Sequence, residues 1–259
     1  MKRDLPDTQG EHDSRNIAID RVGVRGLRFP VQIRELGGGL QHTVATVSLA
    51  VDLPARHKGT HMSRFVETLN SHGSVLDVRH IAGLPSELLR RLPARRAHVE
   101  FRFPFFVSKA APVSRATGLM DYQITFEVEA TKSRSRFTLH AEVPVATLCP
   151  CSKAISDRGA HNQRGTVRFS VRFARRPVFI EELVRLVEDS ASCELYSVLK
   201  RPDEKAVTER AYDTPVFVED VVRNVAERAA RHPNIAWYRV EAENYESIHN
   251  HQAFAIIEG

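Results

Sequence analysis

The 259-residue chain is poor in cysteine, with only Cys149, Cys151 and Cys193. So small and odd a number is no disulfide framework. It fits a reducing compartment, and a cytoplasmic location is expected. Nowhere do about 18 apolar residues follow one another, the length a membrane-spanning helix needs, so no membrane partner is expected. Residues 1–20 are polar and charged and lack the apolar centre of a secretory signal. They read as a disordered tail. Aromatic residues are scarce, and none alternates with the arginine pairs Arg90-Arg91, Arg95-Arg96 and Arg175-Arg176. Platforms for single-stranded nucleic acid need that interleaving, so these pairs read as solvated or subunit-contact charges. Acidic excess is missing too. The net charge of +5 favours an anionic partner, either nucleic acid or a phosphorylated small molecule.

What the chain has is alternation. Apolar residues make up 42% of it, enough for a proper core in one large domain or two small ones. Val22 to Ile33 alternates with one slip near Gly26 and Pro30, Gly37-Gly38-Gly39 turns the chain, and Ala45 to Leu53 alternates strictly. A loop over 54–60 carries Arg56, His57 and Lys58. His61 opens a helix with Met62, Phe65, Val66 and Leu69 on its apolar face, and a second helix is expected over 86–92. Val99 to Phe105 reads as a strand and 112–118 as a connection. Tyr122 to Ala130 and Phe137 to Val145 form a hairpin across the polar turn 131–134. Val167 to Phe173 is a strand, and Phe179 to Ser190 an amphipathic helix. Lys200 to Lys205 reads as a charged loop. Thr214-Pro215 is read as a helix start, the hydroxyl capping and proline first, with the helix running to about Arg231. Tyr238 to Ala242 and Ala253 to Ile257 close the chain as strands. The plan of strands, helices and strands thus occurs twice, over 21–120 and 121–259. The fold class is α+β, with antiparallel sheet and helices on one face. Open edges in such a sheet would be covered by assembly into a barrel.

The centre of the second half is Thr147-Leu148-Cys149-Pro150-Cys151-Ser152-Lys153, running on to Gly159-Ala160-His161-Asn162-Gln163-Arg164-Gly165. Thiolate sulfur and neutral imidazole are preferred zinc ligands, and proline stiffens the segment that presents them. Two thiols and one histidine are too few for a closed structural site, so an open coordination position fits better. A third ligand would come from a carboxylate such as Glu204 or Glu209. Free cysteine is often a buried apolar residue. That reading suits Cys193, beside Leu195 and Val198, better than Cys149 and Cys151, which prolines and charges surround. His249 and His251 lie close to Glu246, which points to acid–base work near neutral pH. Arg64, Lys200 and Arg201 sit in loops or at helix starts, where an anion can be held or where the charge is merely solvated.

Five motifs in order, Gly59-Thr60-His61-Met62-Ser63-Arg64-Phe65, Leu148 to Lys153, Gly159 to Arg164, Leu199-Lys200-Arg201-Pro202-Asp203-Glu204-Lys205 and Glu246-Ser247-Ile248-His249, resemble those of type IB GTP cyclohydrolase. The resemblance spans essentially everything after residue 20. It implies the tunnelling fold in two tandem modules, assembly into a homotetramer, and conversion of GTP to 7,8-dihydroneopterin triphosphate with release of formate, feeding folate or a modified transfer-RNA base. It implies a divalent zinc or manganese ion, with iron also admissible, held by Cys149, His161 and Glu204. Asp203 and Glu209 stand close enough to contest the third place. Cys151 would sit beside the metal and could pair with Cys149 on oxidation. Glu219 would anchor the guanine, Glu246 and His249 would join the catalytic group, and His61, Ser63, Arg64, Lys200 and Arg201 would bind the substrate. Two rivals keep a place: another pterin or deazapurine enzyme of this fold with a cysteine nucleophile, such as a nitrile reductase, and a basic nucleic-acid-binding module.

Overall fold

The structure, a computed structural model, describes residues 6–77 and 81–259; the first five residues of the expected tail lie outside them. It resolves into two compact units. The first comprises the chain up to Arg34, Gly39–Phe103 and Thr125–Phe137; the second comprises Glu35–Gly38, Pro104–Ile124 and Thr138–Gly259. The strands β4 (Arg96–Ala110) and β5 (Thr117–Thr131) contribute residues to both, and the boundary expected near residue 120 falls inside β5.

In the first unit the strands run in the order β5, β4, β2 (Leu40–Leu53), β1 (Ile19–Arg34) and β3 (Val75–Leu76). Strict alternation in β2 puts Ala45, Val47, Leu49, Val51 and Leu53 inside, and their neighbours point the other way. The expected slip in β1 is real at Gly26. The register with β2 shifts between Val24 and Leu27, and Gly26 takes φ +78°, open to glycine. Pro30 makes no second slip; it pairs in register with Val44. The helix α1 (Met62–His72) packs against α2 (Gly83–Arg91), which begins three residues before the expected Ser86. The buried face of α1 is Phe65, Thr68 and Leu69, not the expected one with Met62, which is exposed. Thr68 can take that place because its hydroxyl donates to the Arg64 carbonyl at 2.6 Å and leaves no polar atom unsatisfied. Residues of the expected tail bond to the loop before α1: Gly59 N donates to Gln9 O at 3.0 Å and Lys58 N to Glu11 O at 3.1 Å.

In the second unit the order is β10 (Ala253–Glu258), β9 (Ile235–Asn244), β7 (Asn162–Phe173), β6 (Ser135–Leu148), β5 and β4, with the short β8 (Cys193–Glu194) also on β6. The helix α6 (Val218–Arg231) packs on β9 and β10. It buries Val218, Val221, Val222 and Val225, while α4 (Ile180–Glu188) packs on β7 and α6. Three expectations need correction. The segment expected as a loop after Cys149 contains a six-residue helix, α3 (Pro150–Ile155), with proline at its first position. Lys200 to Lys205 is not a loop but the start of α5 (Arg201–Asp213). Pro202 occupies its first turn and the Asp203 carboxylate accepts from Lys200 N at 2.8 Å, so a buried acidic cap holds the charged segment helical. Thr214-Pro215 does not start a helix; α6 begins after Phe217, whose N–H donates to Asp220 Oδ2 at 3.0 Å, while Thr214 N closes α5 on Arg210 O.

Candidate active site

The site is built where β6 ends and β7 begins. Register pairs Leu148 with Asn162 and Thr147 with Gln163, so Cys149 and His161 leave adjacent strands side by side. Four hydrogen bonds close the segment between them. Cys149 N donates to His161 O at 3.1 Å, His161 N donates to Ser152 Oγ at 3.1 Å, Ser152 Oγ donates to Cys149 O at 3.2 Å, and Ser152 N donates to Cys149 Sγ at 3.4 Å. Cys149 is half-buried and Cys151 exposed.

His161 is fixed from its other side. Its Nδ1 lies 3.0 Å from Gln163 Oε1, and Gln163 Nε2 donates to Thr147 Oγ1 at 3.0 Å inside the unit. Glu246 Oε2 also faces Nδ1, at 4.0 Å. The Gln163 amide, turned by its bond to Thr147, offers its oxygen to Nδ1, which assigns the N–H to that atom and leaves Nε2 as the nitrogen available to a metal. This is the arrangement in which ligating histidines are held. The donor set therefore fits a divalent metal: a thiol and an imidazole engaged at Nδ1 by Gln163.

Glu246 reaches His161 because β9 runs very close to β7. Gly165 pairs with Asn244, and a Cβ on Gly165 would stand 2.5 Å from Asn244 Oδ1. Glycine alone permits the approach, and Tyr245 N then donates to Arg164 O at 2.9 Å. His249 and His251 follow on the exposed segment after β9, their rings stacked at 5.0 Å.

The start of α5 divides the expected carboxylates. Asp203 is fully buried and accepts from Val113 N and Ser114 N at 2.8 Å each, from Ser114 Oγ at 2.6 Å and from Lys200 N. Burial alone would raise its pKa, but these donors outweigh it and hold the carboxyl well below its usual range. Asp203 is an anchor and has no lone pair left to offer. Glu209 accepts from Lys205 Nζ at 2.6 Å. Lys200, Arg201 and Glu204 are exposed around the same helix start. Cys149, His161 and Glu204 do not converge within 4.8 Å in the single chain. Among the described residues the group that does, and that could hold a cation, is His98, Glu127 and Glu129.

Glu219 is exposed in the first turn of α6. In the first unit, His61 Nε2 lies 3.4 Å from Asp7 Oδ2, Ser63 is exposed, and Arg64 Nη1 donates to Arg91 O at 3.1 Å. Cys193 is buried as expected, but its sulfur also accepts from Arg210 Nη2 at 2.9 Å. Sequence reasoning missed Thr147, Ser152 and Gln163. Their one signal was polarity at positions flanking the Cys and His in otherwise alternating strands.

Solved structures with a similar arrangement of strands and helices include uricases. The chain aligns with a uricase from Arthrobacter globiformis at TM-score 0.53 and 11% identity, covering 93% of this chain and 92% of that one. It aligns with urate oxidase from Bacillus subtilis 168 at 0.55 and 8%, covering 92% and 98%. That likeness defines a class, the α+β tunnelling fold, and nothing of the chemistry. The chemistry comes from sequence relatives. A family described as type I GTP cyclohydrolase FolE2 matches residues 5–255. "GTP cyclohydrolase FolE2" of Akkermansia muciniphila is 65% identical over 258 residues, covering 99% of this chain and 98% of its own. That of Nitrosococcus oceani is 52% identical over 258 residues, covering 100% and 96%. The chain belongs to the FolE2 family of type I GTP cyclohydrolases and is an enzyme of that activity. This sets aside the nitrile reductase and the nucleic-acid-binding module.

Proposed function

We propose that this enzyme opens the imidazole ring of GTP at the Cys149–His161 loop, releasing formate and yielding 7,8-dihydroneopterin triphosphate. The observation that carries the assignment is the contact of His161 Nδ1 with Gln163 Oε1. Gln163 Oε1 stands 3.0 Å from Nδ1, and the half-buried Cys149 leaves the neighbouring strand, its N–H bonded to His161 O. A divalent cation bound there with one position open, zinc or manganese and also iron by the mixed donor set, would supply a nucleophilic hydroxide near neutral pH. Glu204 is the proposed third ligand. It is exposed on the first turn of α5, so completing the set is work the ion must do on binding. Cys151, exposed in the first turn of α3, belongs to the same segment as a proposed catalytic neighbour.

The remaining roles follow from charge and proton inventory. Attack at C8 of the purine is eased by a proton on N7, which His249 would give; Glu246 would then handle the protons of ring opening and reclosure. Glu219 would accept from the guanine N1–H and 2-amino group. Adenine lacks that donor pair, and an unpaired carboxylate would reject it. Lys200 and Arg201 offer cations to the triphosphate. In the first unit, His61, Ser63 and Arg64 at the N-terminus of α1 form a second proposed anion-binding group. Assembly into a homotetramer in the cytoplasm completes the reading. Incubation with GTP and zinc, manganese or ferrous iron should release formate and give a fluorescent pterin after oxidation. Absence of both with every metal would overturn it.

A further inference from the structure

We propose that the first unit contains a second divalent-cation site, formed by His98, Glu127 and Glu129 and using none of the residues of the Cys149–His161 loop. His98 lies on β4, and β5 is its neighbour. Glu127 and Glu129 are two residues apart on β5 and so project from one face. The donor atoms of all three lie within 4.8 Å of one another.

The separations discriminate between occupants. His98 Nδ1 stands 3.5 Å from Glu127 Oε1 and 3.8 Å from Glu129 Oε1. Both exceed the roughly 2.7–3.2 Å of an N–H···O hydrogen bond. Ligands about 2.0–2.2 Å from one tetrahedral ion stand roughly 3.3–3.6 Å apart, which is nearer to what is seen. His98 Nδ1 is moreover buried with no hydrogen-bond partner, although two carboxylates face it. A buried ring nitrogen left so is costly, and a cation between it and the carboxylates removes the cost.

Neighbouring charges limit the site without closing it. Arg21 Nη2 lies 3.2 Å from Glu129 Oε1, and Arg136 Nη1 lies 4.0 Å from Glu129 Oε2, so Glu129 is shared. A carboxylate oxygen has lone pairs for two partners. An adjoining cavity of about 700 Å³, lined among others by Asp52, His98 and Glu129, leaves room for water to complete the coordination. One imidazole and two carboxylates suit zinc, manganese or ferrous iron, not magnesium or a cuprous ion. The ion would clamp β4 to β5.

The test is metal stoichiometry of the stripped, full-length enzyme, titrated with manganese and with zinc. Two equivalents per chain are expected. The variant carrying both Cys149→Ala and His161→Ala should keep one, and His98→Ala should keep one. Glu127→Gln, nearly the same shape, covers the case in which His98→Ala fails to fold, and it too should lose one equivalent. His98→Ala should still release formate at saturating metal. A single equivalent that vanishes in the Cys149/His161 variant and persists in His98→Ala and Glu127→Gln would overturn the proposal. A single equivalent lost only with His98 or Glu127 would sustain it and sink the assignment of the loop instead.

Discussion

In the proposed metal site, His161 would bind through Nε2 because Gln163 engages its other ring nitrogen. The chain Thr147–Gln163–His161 runs through buried side chains and orients the ring, with the Glu246 carboxylate 4.0 Å from the same nitrogen. Gln163→Ala removes the nearest acceptor and should weaken metal binding by about tenfold to a hundredfold, since outer partners of ligating histidines carry that much. Titration of the variant with zinc reads it; unchanged affinity would show that Gln163 does not hold the ring. At this scale the sequence offered the proposed ligands but not their supports. Cys149 and His161 stand out by residue type and spacing. Gln163 matters only through the pairing of β6 with β7, which no local pattern announces. The same holds for His98, whose partners are about thirty residues away on the neighbouring strand.

The helix α5 shows why one element was misread. Its first residues are nearly all charged, with little apolar periodicity, so local pattern argues for a loop. A tertiary contact decides otherwise, since the Asp203 carboxylate ties the helix start to Val113 and Ser114. Its pKa is depressed in the fold. The stability it contributes is therefore present above its ordinary value of 3.8 and lost as pH falls below that. Asp203→Asn should lower the melting temperature at neutral pH, and the gap to the parent should narrow as the pH drops below about 4. A gap independent of pH would contradict the anchoring role. A second buried tie, also in the second unit, lies at α4. Glu188 accepts from Lys109 Nζ and Tyr122 OH, each at 2.7 Å. Burial raises the Glu188 pKa despite both donors, so that part of its stability is full below its ordinary value of 4.5 and is lost as pH rises through the raised value. Lys109→Met strands the carboxylate and should destabilise by about 3 kcal/mol at neutral pH. Denaturation by urea should show that deficit, and show it smaller below pH 4.5.

For the whole molecule, strict alternation made the sheet legible. The strands β2, β4, β5, β6, β7 and β9 each bury one face, and the residues between keep the other. How residues divide between the units was not legible, because β4 and β5 are long enough to serve both. The edge strand β10 exposes Phe254 and Ile256, a pattern that invites cover by a second copy. Phe254→Glu with Ile256→Glu should therefore shift the proposed tetramer toward smaller species in light scattering. A mass unchanged by the pair would place the subunit contact elsewhere. Among the described residues no helix is long and apolar enough to cross a membrane.

The most direct measurement is the metal content and the formate release of Cys149→Ala and His161→Ala, taken on the same preparations. Because the second cation site would keep its own ion, content is counted against His98→Ala. Each of the two loop variants should lose the ion that His98→Ala retains, and formate production should fall with it. Turnover that survives the loss of that ion would contradict the account.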